Sequence, residues 1–186
     1  MSHWIEVPRR LQTVASNASF IPVQIAILTI SDTRRKIDDQ SGDVLEEKIR
    51  LAGHKMISRD IVRDKVDQIC AKLNTWIADD QIDVVITTGG TGVTGRDVTP
   101  EALASVWEKE IPGFGELFRW ISFQKIATST IQSRACAGVA GGTYIFALPG
   151  SPNACKDGWD EILIHQLDNR HRPCNFVELM PRLQEK

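Results

Sequence analysis

The stretch Thr87 to Pro100, TTGGTGVTGRDVTP, gathers the residues of this 186-residue chain best suited to chemistry. Glycines at 89, 90, 92 and 95 remove side chains from a segment that follows an apolar run, so backbone N–H groups there can come against a phosphate. Asp97 lies in the same loop, just ahead of Thr99-Pro100-Glu101, which has the form of a capped helix start. The residues alone leave helix capping and cation binding both open for Asp97, and a merely tight turn open for the glycines. Gly90, Gly92 and Gly95 also spell G-x-G-x-x-G, but the dinucleotide fingerprint needs a helix that opens within the glycines and an acidic residue about 20 positions on. Here the helix starts later, at Thr99, and the lysine of a P-loop is missing.

A sheet must position this loop. Val23 to Ile30 (VQIAILTI) is a nearly continuous apolar run, as expected of a strand buried on both faces. Ser41 to Ala52 carries Val44, Leu45, Ile49 and Ala52 on one helical face, with Gly53 placed to end the helix. A short strand over Met56 to Val62 precedes a second helix marked by Val66, Ile69, Cys70, Leu73, Trp76 and Ile77. Asp83 to Thr88 and Thr143 to Leu148 supply two more strands, and Ser151-Pro152 a second capped helix start. Between them, Ile111 to Gly142 reads as helical and irregular, broken at Gly113-Phe114-Gly115. The alternation predicts an α/β fold, a three-layer open, mostly parallel sheet with helices on both faces. Residues 1–20 read as a flexible arm and 21–186 as a single domain. Ligands of such sheets bind beyond the carboxyl ends of the strands, so Ser31-Asp32, Asp64, Thr88 to Asp97 and Pro149-Gly150-Ser151 should share one rim. Arg34, Arg35 and Lys36 read first as a solvated charge run, with phosphate recruitment left open.

A formal charge of −2 argues against a protein that wraps nucleic acid. Cys70, Cys136, Cys155 and Cys174 are scattered without a C-x-x-C pair, and the four histidines lack metal-ligand spacing, so no structural zinc is expected. Without an apolar leader or an 18-residue apolar run, the expected location is cytoplasmic, with no membrane partner.

TTGGTG followed by RD-TPEA, then GFGE, then LPGSP, resembles the MoaB/MogA family of molybdenum cofactor proteins, and ILTISD, DDQSG and STIQSR extend the likeness over roughly Ile21 to Phe176. The ending LDNRHRPCNF resembles the MoaB branch. The resemblance implies a trimeric or hexameric homo-oligomer that transfers AMP from Mg-ATP to molybdopterin, alongside other proteins of that pathway. By the same likeness Asp97 and Asp64 are the catalytic positions and the ligands of Mg²⁺, directly or through water. Ser31, Thr88, Gly89, Gly90, Thr91, Gly92, Ser133, Arg134, Pro149, Gly150 and Ser151 are then expected to bind substrate and phosphate. The alternative is a non-catalytic molybdopterin-binding or scaffold protein. The apolar segment Trp107 to Trp120 is where subunits would be expected to meet.

Overall fold

β-Branched and apolar residues crowd the strands at the centre of the molecule, a computed structural model that describes residues 18–185. Strands β1 (Gln24–Ile30), β2 (Lys55–Val62), β3 (Val84–Thr88), β4 (Lys109–Glu110), β5 (Cys136–Ala140) and β6 (Thr143–Leu148) form one sheet in the order β2-β1-β3-β6-β5-β4. β1 runs parallel to β2 and β3, and β3 parallel to β6, while β5 is antiparallel to β6 and β4 to β5. All of β3 and β6 is buried, because both faces are covered. Helices α1 (Gln40–Leu51), α4 (Pro112–Ile126) and α5 (Pro152–Gly158) pack on one face through Leu45, Ile49, Phe114, Phe118 and Cys155. Helices α2 (Val66–Ile77) and α3 (Thr99–Ala104) cover the other through Ile69, Leu73, Trp76, Ala102 and Leu103. The open α/β architecture is thus the one expected. No helix of the described residues is long and apolar enough to cross a membrane.

Three local expectations are corrected. The irregular helical stretch 111–142 contains a strand, β5, whose Gly138 leaves room for the Trp107 ring; an added Cβ would sit 2.5 Å from it. Gly113-Phe114-Gly115 does not break α4, since Pro112 opens the helix and the glycines fall in its first turn. Thr99 does not cap α3: the N-cap is Val98, and the Thr99 hydroxyl donates instead to Gly89 O at 2.8 Å. Ser151 does cap α5, its Oγ accepting from Ala154 N at 3.2 Å. The expected N-terminal arm lies, through residue 17, outside the described residues. Beyond it, Asn169 takes Ile21 N–H on its side-chain oxygen and donates to Ser19 O.

His54 links this entry segment to the core, its Nδ1 accepting from Val23 N beside the rings of Phe20 and Trp159. Burial pushes its pKa down from 6.5 to about 4, against an opposing pull from Asp168. The unfolded chain therefore binds the extra proton, so stability is intact above pH 6.5 and is lost as pH falls toward 4. Urea titrations across that window should show a loss of about 2–3 kcal/mol. His54→Asn can accept the same N–H without titrating, and should lack that part of the slope. Identical slopes in the two proteins would acquit His54.

Candidate functional site

The carboxyl ends of β1, β2, β3 and β6 open onto one cavity of about 540 Å³. Its walls include Ser31 and Arg34 after β1, Asp64 after β2, Gly89 to Gly92 and Asp97 after β3, and Pro149, Gly150 and Ser151 after β6. Phe118, Ser122 and Ile126 of α4 close another side, with Ser129 to Ser133 beyond them contributing Ser129, Thr130, Gln132 and Ser133. That volume falls in the range of small-molecule sites.

The glycine loop is held in a specific way. Gly89 O accepts from the Thr99 hydroxyl, Gly90 O from Thr99 N, Thr91 O from Arg134 N, and Gly92 O from Arg134 Nε. Four successive carbonyls are therefore occupied by the protein's own donors. Among the described residues, the N–H groups of Gly90 and Thr91 have no acceptor, and both residues line the cavity. Gly89 and Gly90 take φ of +104° and +64°, which L side chains rarely adopt. A Cβ on Gly90 would collide with the Thr99 hydroxyl and lie 3.1 Å from Asp64 Oδ1. A Cβ on Gly92 would lie 2.7 Å from Asp97 Oδ2. The missing side chains thus make room for the chain's own oxygens.

Asp64 and Asp97 stand on either side of these glycines. Burial, and next the Asp32 carboxylate, push the Asp64 pKa above the ordinary carboxylate range. Burial also acts to raise Asp97, but hydrogen bonds from the Thr94 hydroxyl, Thr94 N and Gly92 outweigh it and hold Asp97 low. Thr94 donates to Asp97 Oδ2 from Oγ1 at 2.7 Å and from N at 2.9 Å. No group of three His, Cys, Asp or Glu side chains among the described residues could hold a metal alone. Two carboxylates at one cavity instead suit Mg²⁺, which keeps several waters and completes its shell with substrate phosphates. A cation would also relieve the crowding of negative charge felt by Asp64.

Of the residues expected to bind substrate, Thr88 and Arg134 lie off the cavity wall. Thr88 is fully buried, its hydroxyl donating to Pro149 O at 3.0 Å. The Arg134 guanidinium is spent on Gly92 O, Asp97 O and the Glu101 carboxylate. It braces the loop from behind. Conversely, Arg34, first read as part of a solvated run, reaches into the site and donates to Gly150 O and the Ser41 hydroxyl. The α4 wall had only an apolar packing signal, which does not distinguish a core face from a cavity face.

An open α/β sheet with a glycine loop, two flanking carboxylates and a cavity at the strand ends defines a class of small-molecule-binding proteins, and sequence comparison specifies it. The chain belongs to the molybdenum cofactor biosynthesis family described as "Probable molybdopterin binding domain", whose profile matches residues 26–169. It is 50% identical over 160 residues to molybdenum cofactor biosynthesis protein B of Escherichia coli (strain K12), covering 86% of this chain and 94% of that one. A protein of the same name from Bacillus cereus is 42% identical over 146 residues, 78% of this chain and 86% of its own length. A crystal structure of molybdenum cofactor biosynthesis protein B matches with a TM-score of 0.81 at 36% identity, covering 91% of this chain and all of that one.

Proposed function

We propose that the chain is a cytoplasmic molybdopterin adenylyltransferase, binding molybdopterin and Mg-ATP at this cavity and working beside other proteins of the pathway. The observation that carries the reading is the glycine loop, with its carbonyls turned to the protein, two amides left over, and Asp64 and Asp97 alongside. A terminal phosphate monoester, with a second pKa of about 6, is largely dianionic at neutral pH and needs no protein base to attack. Its oxygen bonds to the α-phosphorus of ATP while the bond from that phosphorus to the bridging oxygen breaks, and pyrophosphate leaves with the electron pair. Bound Mg²⁺ supplies the positive charge that offsets this leaving group. Asp97 and Asp64 hold the cation, and the Gly90 and Thr91 amides hold phosphoryl oxygens. Ser31 and Ser133 offer hydroxyls to the substrate, and Arg134 keeps the loop in place. Incubating the protein with molybdopterin, ATP and Mg²⁺ should yield the adenylylated pterin. Molybdopterin binding without that product would support the non-catalytic binder instead.

The same reading includes a homo-oligomer, trimeric or hexameric. Leu117, Trp120 and Phe123 of α4 are 41–52% exposed, large apolar side chains on one helix suited to a partner subunit. Light scattering should give a mass at least three times that of the chain. A stable monomer at micromolar concentration would defeat this.

A further inference from the structure

A second cavity, of about 600 Å³, lies between the loop after β1 and the end of β2. Ser31 N donates to Val62 O at 2.9 Å, so the two chain segments leave the sheet side by side. The lining holds five cations, Arg34, Arg35, Lys36, Arg59 and Arg63, against two carboxylates, Asp32 and Asp60. Both carboxylates are already matched from outside the cavity, Asp32 by Arg96 and Asp60 by Lys72. Arg59 is matched by Asp39, Asp43 and Glu46, and Arg35 by Asp38. Arg34, Lys36 and Arg63 remain without an ion pair among the described residues. Five cations against two carboxylates leave this concave wall with an excess of positive charge, which concentrates a field that attracts a multiply charged anion.

The two cavities adjoin. Ser31, Thr33 and Arg34 line both, and the chain passes from one to the other between Arg63 and Asp64. We propose that this second cavity is a polyphosphate site, which on the adenylyl reading receives the β- and γ-phosphates of the nucleoside triphosphate. Lys36 comes from the loop after β1 and Arg63 from the end of β2, so the two cations face an anion from two segments, with Arg34 adding its charge from the shared wall, and the Arg63 fork suits phosphate oxygens. No aromatic side chain lines this cavity among the described residues, so a base has nothing here to stack on. The nucleoside and the pterin belong to the first cavity, and pyrophosphate departs through the second.

The test titrates the full chain with sodium tripolyphosphate, inorganic phosphate, ATP and AMP by calorimetry. Lys36 and Arg63 are exposed, so the double variant Lys36→Gln/Arg63→Gln should fold and melt like the parent. Tripolyphosphate should bind the parent at least about tenfold more tightly than inorganic phosphate, and the double variant should lose about tenfold or more in tripolyphosphate and ATP affinity. AMP affinity should hold, and so should every affinity in Lys55→Gln, which removes an exposed cation elsewhere. No tripolyphosphate binding by the parent, equal binding by the double variant, an equal loss in Lys55→Gln or for AMP, or inorganic phosphate binding as tightly as tripolyphosphate would each overturn the assignment. If tripolyphosphate binding behaves as stated but the parent makes no adenylylated pterin, the anion site stands and the adenylyl reading alone falls.

Discussion

Adenylylation by Asp97→Asn should fall about 100-fold or more at saturating Mg-ATP, while stability and pterin affinity change little. Asp97 Oδ2 receives both Thr94 donors, and an amide oxygen can receive the same pair, so the loop keeps its turn. What the substitution removes is negative charge. The hydrogen bonds to Asp97 hold its carboxyl below the ordinary range, so the parent carries a full charge at neutral pH with which to hold a cation. The backbone oxygen of Asp97 stays bound to Arg134 in either form, which separates the charge from the scaffold. Product formation measured in the two proteins decides the matter: equal turnover would leave Asp97 a structural role only.

A larger effect on stability is expected away from the chemistry, at Arg59→Met. The Asp39 side chain is fully buried and that of Arg59 is 9% exposed. Arg59 donates to Asp39 Oδ2 at 2.8 Å and to Asp39 O at 2.9 Å, and from its other terminal nitrogen to Asp43 and Glu46. Burial works to lower its pKa, but the three carboxylates outweigh it and raise the value, so the guanidinium is charged throughout. Asp39 also caps α1, taking Gly42 N on one oxygen and the Thr29 hydroxyl on the other. Removing Arg59 leaves Asp39 a buried charge without a counter-charge, which costs about 3–5 kcal/mol. That is a large part of the 5–15 kcal/mol typical of a whole domain. Denaturant melts should show the loss, and adding Asp39→Asn should recover at least half of it, because the amide caps the helix without the charge. No recovery in the double variant would point to lost packing instead.

Strands with strong local signals were legible in the sequence, and the site followed from them. VQIAILTI, DVVITT and TYIFAL are β-rich runs long enough to stand out, and fixing them fixes where their ends, and so Ser31, the glycine loop and Pro149 to Ser151, must lie. β5 was not legible, because CAGVA is short and made mainly of small residues, and the Trp107 ring that sits against its Gly138 comes from elsewhere in the chain. β4 is two exposed charged residues, Lys109 and Glu110, held only by β5. Thr99 misled for a related reason: its hydroxyl had a better partner, Gly89 O, than the cap position offered, and nothing local reveals a carbonyl ten residues away. Arg34 and Arg134 were both visible as cations, but whether each faces the cavity or braces it depends on backbone oxygens at Gly150 and Gly92.

The parallel pairing of β3 with β6 has a consequence for the order in which the protein comes into being during synthesis. Thr88 pairs with Leu148, sixty residues later, and Arg34 grips Gly150 across a still longer gap. A nascent chain released as far as the glycine loop has its strands β1, β2 and β3 but neither the sheet's other half nor the last wall of the cavity. Contacts so distant in sequence form slowly, since a long loop must close before they are rewarded. The unfinished chain on the ribosome therefore exposes the edge of β3 before its cavity exists, and the cavity is completed only with the sheet's closure.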